Sequence, residues 1–235
     1  MIKLLQKATI LTLFMCCAAI VSRAQVGYNY AQWDVGIGGG YDKVYGDAQT
    51  IVGTASAHFS INYNSSPYLN YIFEVQAGQL KGGNALKDTT GRQFANSFTA
   101  FMFRAQLQAG ELIDYSQSSF ANGLKNLYIS SGVGYIVNHL TTNRYSYKIP
   151  GYYTPGTNNS NEILIPVRFG YEFKVYNAYN EPSFKVDLGY QYNFIMGDEL
   201  DGFKAGKSND SYSQICLGVK FAIGGVTSYR KQIQY

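Results

Sequence analysis

Alternation between apolar and polar residues, repeated in eight separate segments, constrains this chain more than any other feature of its sequence. Successive side chains of a β-strand point to opposite faces, so each segment predicts a strand with one apolar face and one polar face. Each is close to the length that a tilted transmembrane strand needs. The predicted strands cover residues 32–42, 52–63, 68–80, 97–109, 126–139, 162–176, 182–195 and 211–223.

The polar faces carry Gly, Ser, Asn, Gln and a few charges of both signs. A soluble barrel of the lipocalin type is the alternative fold, and its outer face would carry many Lys and Glu residues. Small polar residues suit a crowded lumen better. No stretch after residue 24 approaches 18 consecutive apolar residues, so a closed barrel is the remaining way to span a bilayer. We therefore predict an all-β fold, an eight-stranded antiparallel up-and-down transmembrane β-barrel.

The N-terminus has the pattern of a secretory signal peptide. Lys3 and Lys7 precede an apolar run over 8–21, and small residues follow at Ser22 and Ala24. We expect cleavage after Ala24, and export to the bacterial outer membrane.

Processing defines the expected domain organisation and the charge of the mature chain. We predict a signal peptide over 1–24, a mature N-terminus at Gln25, a barrel over 25–225 and a short periplasmic tail over 226–235. Residues 1–24 hold three basic residues and no acidic one, so their loss lowers the net charge from +4 to +1. The basic balance therefore gives no indication of nucleic-acid binding. With 14% charged and 16% aromatic residues, the chain is neither a disordered protein nor a coiled coil.

The connections between predicted strands give a second signal. Outer-membrane barrels alternate long external loops with short periplasmic turns, and the first, third, fifth and seventh connections are mostly the long ones here. The connection over 110–125 departs from this pattern, because it is long where a short turn is expected. Either it holds a short helix, or the strands on each side of it are longer than the predicted ranges.

Four segments carry a resemblance to a known family: WDVGIGGGYD, NLYISSGVGYIVN, VRFGYEF and VDLGYQYNF. They resemble the small outer-membrane β-barrels typified by OmpX and the OmpA barrel, especially the bacteroidete-type members. The resemblance covers nearly all of the mature chain and implies architecture more than function. Such barrels often end at an aromatic residue of the last strand, which the assembly machinery reads. About a dozen residues follow Phe221, so either Tyr235 has that part or the end of the chain is a periplasmic extension.

Charged residues on the predicted polar faces indicate the chemistry of the lumen. Eight strands leave an interior just wide enough for side chains to fill, and buried opposite charges must pair. If Leu80 faces Ser97, Glu74 lies opposite Phe103 and beside Arg104. We interpret the charges as a network that closes the lumen; a selectivity filter in a narrow channel is the alternative. The candidate network is Asp34, Glu74, Arg104, Arg168, Glu172, Lys174, Lys185, Asp187 and Lys220.

The predicted external loops supply the candidate binding residues. Tyr145, Tyr147, Tyr152 and Tyr153 stand among small polar residues, a composition typical of binding loops and also of solvated loops with interfacial aromatics. The loop over 197–210 is rich in Asp and Glu. Carboxylates of that kind could hold Ca²⁺, but no EF-hand spacing is present, so we assign no metal site.

One constellation has the residue types of a hydrolase. His58 and Ser60 share a predicted face, and the strand register brings Glu74 near His58. A His that deprotonates a Ser while a carboxylate orients the His is a workable nucleophilic site. The residue types and the H-x-S spacing are similar to those of PagL-type lipid A deacylases. That family places these groups on its lipid-facing side, whereas the alternation here places them in the lumen.

These observations predict a non-enzymatic outer-membrane barrel that acts as a structural or interaction scaffold through its external loops. The alternatives are a narrow passive channel and a PagL-like lipid A hydrolase. We assign no cofactor. The expected partners are outer-membrane lipid, the assembly machinery during biogenesis, and a protein or surface ligand at the external loops.

Overall fold

The computed structural model describes residues 27–89, 91–116, 118–146, 148–204 and 209–230. The predicted signal peptide, Tyr147, and residues 231–235 of the predicted tail with Tyr235 among them lie outside the described residues.

Eight antiparallel strands form one closed barrel, in which each strand pairs with its neighbours in sequence and the last pairs with the first. The predicted up-and-down barrel is therefore confirmed. The strands are β1 (Gly27–Tyr45), β2 (Ile51–Asn64), β3 (Leu69–Gly83), β4 (Gln93–Gln108), β5 (Leu127–Asn143), β6 (Asn159–Tyr176), β7 (Pro182–Ile195) and β8 (Ser211–Arg230).

The strand ends that flank the connections after β1, β3, β5 and β7 lie at one end of the barrel, and the start of β1 and the end of β8 lie at the other. Long loops face the exterior in outer-membrane barrels, so we call the first end extracellular and the second periplasmic.

The register between β3 and β4 differs by one residue from the predicted one. Leu80 faces Asn96 and Glu74 faces Met102, so Ser97 and Phe103 are not the partners. Directly opposed residues of two paired strands share a face of the sheet. Leu80 and Asn96 are both buried inside the barrel, which fixes this register.

β8 continues past the predicted end of the barrel at 225, so residues 226–230 are strand and not tail. Gly224 and Gly225 interrupt the alternation there, and Gly224 has a φ of 79° that favours glycine. The extension persists because β1 also begins earlier than predicted and pairs with it, across a bulge between Ala31 and Trp33.

The long periplasmic connection between β4 and β5 contains two short helices, α1 (Ala109–Leu112) and α2 (Ser119–Leu124). The side chain of Ser118 caps α2 by accepting a hydrogen bond from the backbone N–H of Ala121. Of the two interpretations of the 110–125 connection, the short helix is the one observed. No helix in the described parts of the chain combines the length and the apolar character that crossing a membrane requires.

The outward faces of the strands form an apolar belt. Val, Ile, Leu, Phe and Tyr side chains dominate it, and Ile37, Phe73, Phe103 and Phe169 are each about half exposed or more. Stacked rings such as Tyr71 and Phe103 continue from strand to strand around the belt. Exposure of so much contiguous apolar surface is unfavourable in water and matches a hydrocarbon environment.

Candidate functional site

The lumen holds the predicted charges, and the first group of them surrounds Glu74. Arg104 donates to Glu74 Oε2 at 2.6 Å, and Arg168 donates to Glu74 Oε1 at 3.0 Å. The two guanidiniums also bind Ser130 Oγ and Gln191 Oε1, at 2.9 and 2.7 Å. All three charged residues are at least 97% buried, so this is a bridge that joins strands across the interior.

A second group of charges lies beside the first. The Lys185 ammonium is 2.6 Å from Asp34 Oδ2 and 3.7 Å from Glu172 Oε1. The Lys220 ammonium lies between Glu172 and Asp187, at 2.9 and 2.5 Å. Two ammonium groups and three carboxylates thus form one continuous chain of ion pairs. Buried charges are tolerated only with partners of this kind.

Lys174, the last of the nine predicted lumen charges, reaches the periplasmic end of the barrel. Its ammonium donates to Pro67 O and Gln108 Oε1 at 2.6 and 2.7 Å, and it lies 4.8 Å from the ring centroid of Tyr68. The Tyr115 ring from the connection between β4 and β5 packs edge-on against Tyr68. This connection therefore covers the periplasmic mouth of the lumen.

The three predicted hydrolase residues line one cavity, but their hydrogen bonds are not those of a catalytic triad. Ser60 faces Glu74 across β2 and β3, and His58 lines the same cavity of about 10 Å³. That volume holds about one water molecule. Among the described contacts, no hydrogen bond joins His58 to Ser60 or to Glu74. The Glu74 carboxylate is bound instead by Arg104 and Arg168, and Ser60 accepts a hydrogen bond from Asn62.

Glycines of β1 make room for these lumen side chains. A Cβ at Gly38 would lie 2.5 Å from His58 Nε2, and one at Gly36 would lie 2.5 Å from Ser60 Oγ. The glycine-rich first strand therefore lets polar groups from β2 fill the interior.

The extracellular half of the lumen contains an apolar cluster, and its cap comes from the loop between β7 and β8. Leu200 and Phe203 of this loop are fully buried and belong to one cluster with Leu80, Phe98 and Ile136. Asn96 donates to Leu200 O at 2.8 Å, and the Arg92 guanidinium lies 5.5 Å from the Phe203 ring centroid. We call residues 196–204 with 209–210 the extracellular cap.

Two buried carboxyls anchor the extracellular cap. Asp201 accepts from the backbone N–H of Asp47 and of Phe203 at 2.7 and 2.9 Å, and Asp210 accepts from Leu200 N–H at 2.9 Å. An oxygen of each carboxyl lies 2.7 Å from the position that a Cβ would take at Gly46. Burial together with nearby carboxylates raises the pKa of Asp201 to about 6 and that of Asp210 to about 8.

The loop between β5 and β6 forms a small hairpin outside the barrel. Tyr145 and Tyr153 form an antiparallel bridge, and their ring centroids are 5.2 Å apart. Tyr145, Tyr152 and Tyr153 are 62%, 43% and 50% exposed, and Ile149 is exposed between them. We call residues 144–146 with 148–158 the tyrosine hairpin. It presents apolar surface to the exterior.

Within the described residues, no group of three or more His, Cys, Asp or Glu side chains has an arrangement that could hold a metal ion. Asp201 and Asp210 of the loop over 197–210 bind backbone N–H groups, and Glu199 pairs with Lys204.

Sequence reasoning missed the apolar part of the lumen. Ile72, Leu80, Phe98, Ile136 and Leu164 lie on the same strand faces as the predicted polar residues. Their even-numbered alternation is the signal that could have revealed them. Leu200 and Phe203 carried no such signal, because they lie in a loop.

No protein-family model and no curated protein matches the sequence. Among solved structures, the fold is similar to Neisserial surface protein A, with 16% identity, 82% of this chain and 98% of that chain covered, and a TM-score of 0.48. It is similar to Ail, the attachment invasion locus protein of Yersinia pestis, with 12% identity, coverage of 82% and 98%, and a TM-score of 0.45. It is also similar to OprG from Pseudomonas aeruginosa, with 12% identity, coverage of 84% and 99%, and a TM-score of 0.37.

The outer surface of the barrel indicates the environment in which it lies. Its outward faces carry a belt of exposed Phe, Tyr, Ile, Leu and Val side chains, and its eight strands close without an edge. This is the architecture of an outer-membrane protein, and the chain is located in the outer membrane.

Proposed function

We propose that the protein is a non-enzymatic outer-membrane scaffold with a closed lumen, and that its external loops form the working surface. The observation that carries this proposal is the filling of the lumen along its length. Charged pairs occupy the middle, the connection between β4 and β5 covers the periplasmic mouth, and the extracellular cap covers the other. We also propose that the chain belongs to the OmpX-like barrels and, within them, to the bacteroidete type.

The positions of His58, Ser60 and Glu74 support a scaffold over a lipid hydrolase. Lipid acyl chains contact the outer face of a membrane barrel, whereas these three residues face inward and are over 90% buried. The carboxylate that would orient His58 is held by two guanidiniums. Ser60→Ala is expected to leave lipid A acylation unchanged, and altered acylation would contradict this part of the proposal.

Single-channel recording in a planar bilayer tests the closed lumen. We expect no open steps from the folded protein. The Leu200→Ala/Phe203→Ala variant should also stay silent, because the charged network below the cap remains. Reproducible steps from the unmodified protein would favour the narrow channel instead.

The tyrosine hairpin is the candidate contact surface for a partner. Exposed Tyr side chains offer rigid amphipathic area at low entropic cost, and three of them lie close together here. Cross-linking on whole cells should capture a species that disappears in Tyr145→Ser/Tyr152→Ser/Tyr153→Ser.

Tyr179→Ser is the matched control, since Tyr179 is 82% exposed in the turn at the periplasmic end. The same captured species in all three proteins would contradict the role of the hairpin.

A further inference from the structure

The outer face of the barrel is almost free of charge, and its exceptions are two lysines. Lys43 and Lys81 are exposed, while their strand neighbours Asp42, Val44, Leu80 and Gly82 are buried in the interior. Among the strand side chains that the structure describes, these are the only charged ones that face outward. We call them the rim lysine pair.

The two lysines lie at the same height on either side of β2. Lys43 faces Gly53 and Lys81 faces Val52, so one strand separates them. Two strand spacings put their backbones about 10 Å apart. Both are two residues from the extracellular end of their strands, which is where an outer-leaflet headgroup region meets a barrel.

An aromatic ring bridges the space between the lysines. The Tyr41 side chain crosses β2 at Gly53, where a Cβ would overlap its hydroxyl and ring. The Lys43 ammonium lies 6.0 Å from the Tyr41 ring centroid. Tyr at this level is typical of the interfacial aromatic girdle, whose rings lie among lipid headgroups. Gly53 is thus the position that lets Tyr41 lie flat on the sheet.

A surface groove of about 390 Å³ adjoins Lys81. Val52 and Ala95 supply apolar lining, and Gln93 and Thr141 supply polar groups. It lies beside an irregularity between Val52 and Ser56, where the ladder of β2 and β3 shifts register. A polar headgroup with an apolar base fits this mixture better than a purely aliphatic chain does.

We propose that Lys43, Lys81, Tyr41 and this groove bind an outer-leaflet lipid whose headgroup carries two phosphate groups. Phosphate oxygens accept charge-assisted hydrogen bonds from ammonium groups. No ion pair of either lysine is found within the described residues, and no acidic side chain described on the strands faces outward to compete for them. The apolar belt directly below receives the acyl chains. The inference rests on the outer-membrane location and is independent of the closed lumen and of the tyrosine hairpin.

Native mass spectrometry of the purified full protein with defined lipids tests the site. The probes are diphosphoryl lipid A, monophosphoryl lipid A and phosphatidylethanolamine, with inorganic phosphate as competitor. We expect the protein to prefer diphosphoryl over monophosphoryl lipid A by about tenfold, because each ammonium–phosphate pair is charge-assisted. Lys43→Gln/Lys81→Gln should abolish this preference, and Lys43→Arg/Lys81→Arg should keep it.

Lys87→Gln/Lys148→Gln is the matched control, since it removes the same charge from exposed loop positions. It should bind as the unmodified protein does. An unchanged preference in Lys43→Gln/Lys81→Gln would overturn the proposal, as would an equal loss in the loop control. Displacement of the lipid by millimolar inorganic phosphate would overturn it too, because the site would then bind free phosphate. The conductance of the barrel should not change in either variant, which separates this test from that of the closed lumen.

Discussion

The two halves of the lumen are filled in different ways. The periplasmic half contains buried ion pairs whose members all come from strands, such as Glu74 with Arg104 and Arg168. The extracellular half contains an apolar cluster, and part of it, Leu200 and Phe203, comes from a loop. Strand residues are held by the hydrogen-bonded wall of the barrel, whereas a loop can leave the lumen while the wall stays intact.

This difference determines which half of the lumen can respond to changes in pH or sequence. The charged half is fixed, because moving any member leaves another charge buried without a partner. The apolar cluster of the extracellular half depends on the extracellular cap, which Asp201 and Asp210 anchor through backbone hydrogen bonds. We therefore expect perturbations of the first half to change the stability of the whole barrel, and perturbations of the second to change the cap alone.

The largest effect should follow from Glu74→Ala, which leaves two guanidiniums buried without their carboxylate. Breaking a buried charge network in this way costs about 3–5 kcal/mol in the free energy of unfolding. Urea unfolding in lipid vesicles measures it. Glu181→Ala is the control, since Glu181 lies in the exposed turn between β6 and β7 and bonds only locally to Asn177. Similar losses in both variants would show that the network does not hold the barrel together.

Phe203→Ala should lower the free energy of unfolding less than Glu74→Ala does, but it should loosen the extracellular cap more. Truncation of a buried Phe usually costs about 3–5 kcal/mol, but a loop can detach without unfolding the barrel, so we expect a global loss below about 2 kcal/mol. A nitroxide on Lys204→Cys should become more mobile in the electron paramagnetic resonance spectrum. Cys216 is buried and leaves the label selective. An immobile label with a large global loss would make the cap part of the barrel's cooperative unit.

Alkaline pH should loosen the extracellular cap. The pKa values of Asp201 and Asp210 are raised to about 6 and about 8, above the usual value of a carboxyl. The stability that the pair contributes is therefore complete below about pH 4 and is lost as the pH rises through these two values. Asp47, Asp198 and Glu199 add negative charge nearby, and Arg92 and Lys204 offset it in part.

The same label on Lys204→Cys measures this dependence. Its mobility should increase from about pH 5 to about pH 9, and Asp210→Asn should flatten the change because no second carboxyl then ionises. A label that responds equally in Asp210→Asn would exclude the carboxyl pair as the cause.

The smallest effect should be a change in the mobility of the loop between β3 and β4. Acid should loosen this loop, whereas alkali loosens the extracellular cap. Burial raises the pKa of Asp88, but hydrogen bonds from the Thr50 hydroxyl, Thr50 N–H and Asn84 N–H outweigh it and lower that pKa below its usual value. This contribution is present above the usual carboxyl pKa and is lost as the pH falls through the lowered one. A label on Lys87→Cys should therefore gain mobility only in acid. Mobility gained in alkali instead would contradict this assignment.

Much of this protein follows from its sequence. The period-two alternation places Asp34, Arg168 and Lys220 on one face of their strands, and the same alternation makes the opposite face an apolar belt. Both results depend only on neighbouring residues within a strand, which is why a single sequence contains them. The bilayer then requires these strands to close into a barrel, because an open sheet edge cannot exist in it.

Which lumen residues contact one another depends on the tertiary structure. The pairing of Glu74 with both Arg104 and Arg168 depends on the register of strands far apart in the chain, and one residue of slip between β3 and β4 changes the partners. The burial of Leu200 and Phe203 depends on a loop that folds back into the mouth, where no periodicity applies. The rim lysine pair lies on separate strands, and the pairing of β2 with β1 on one side and with β3 on the other brings its members to one height.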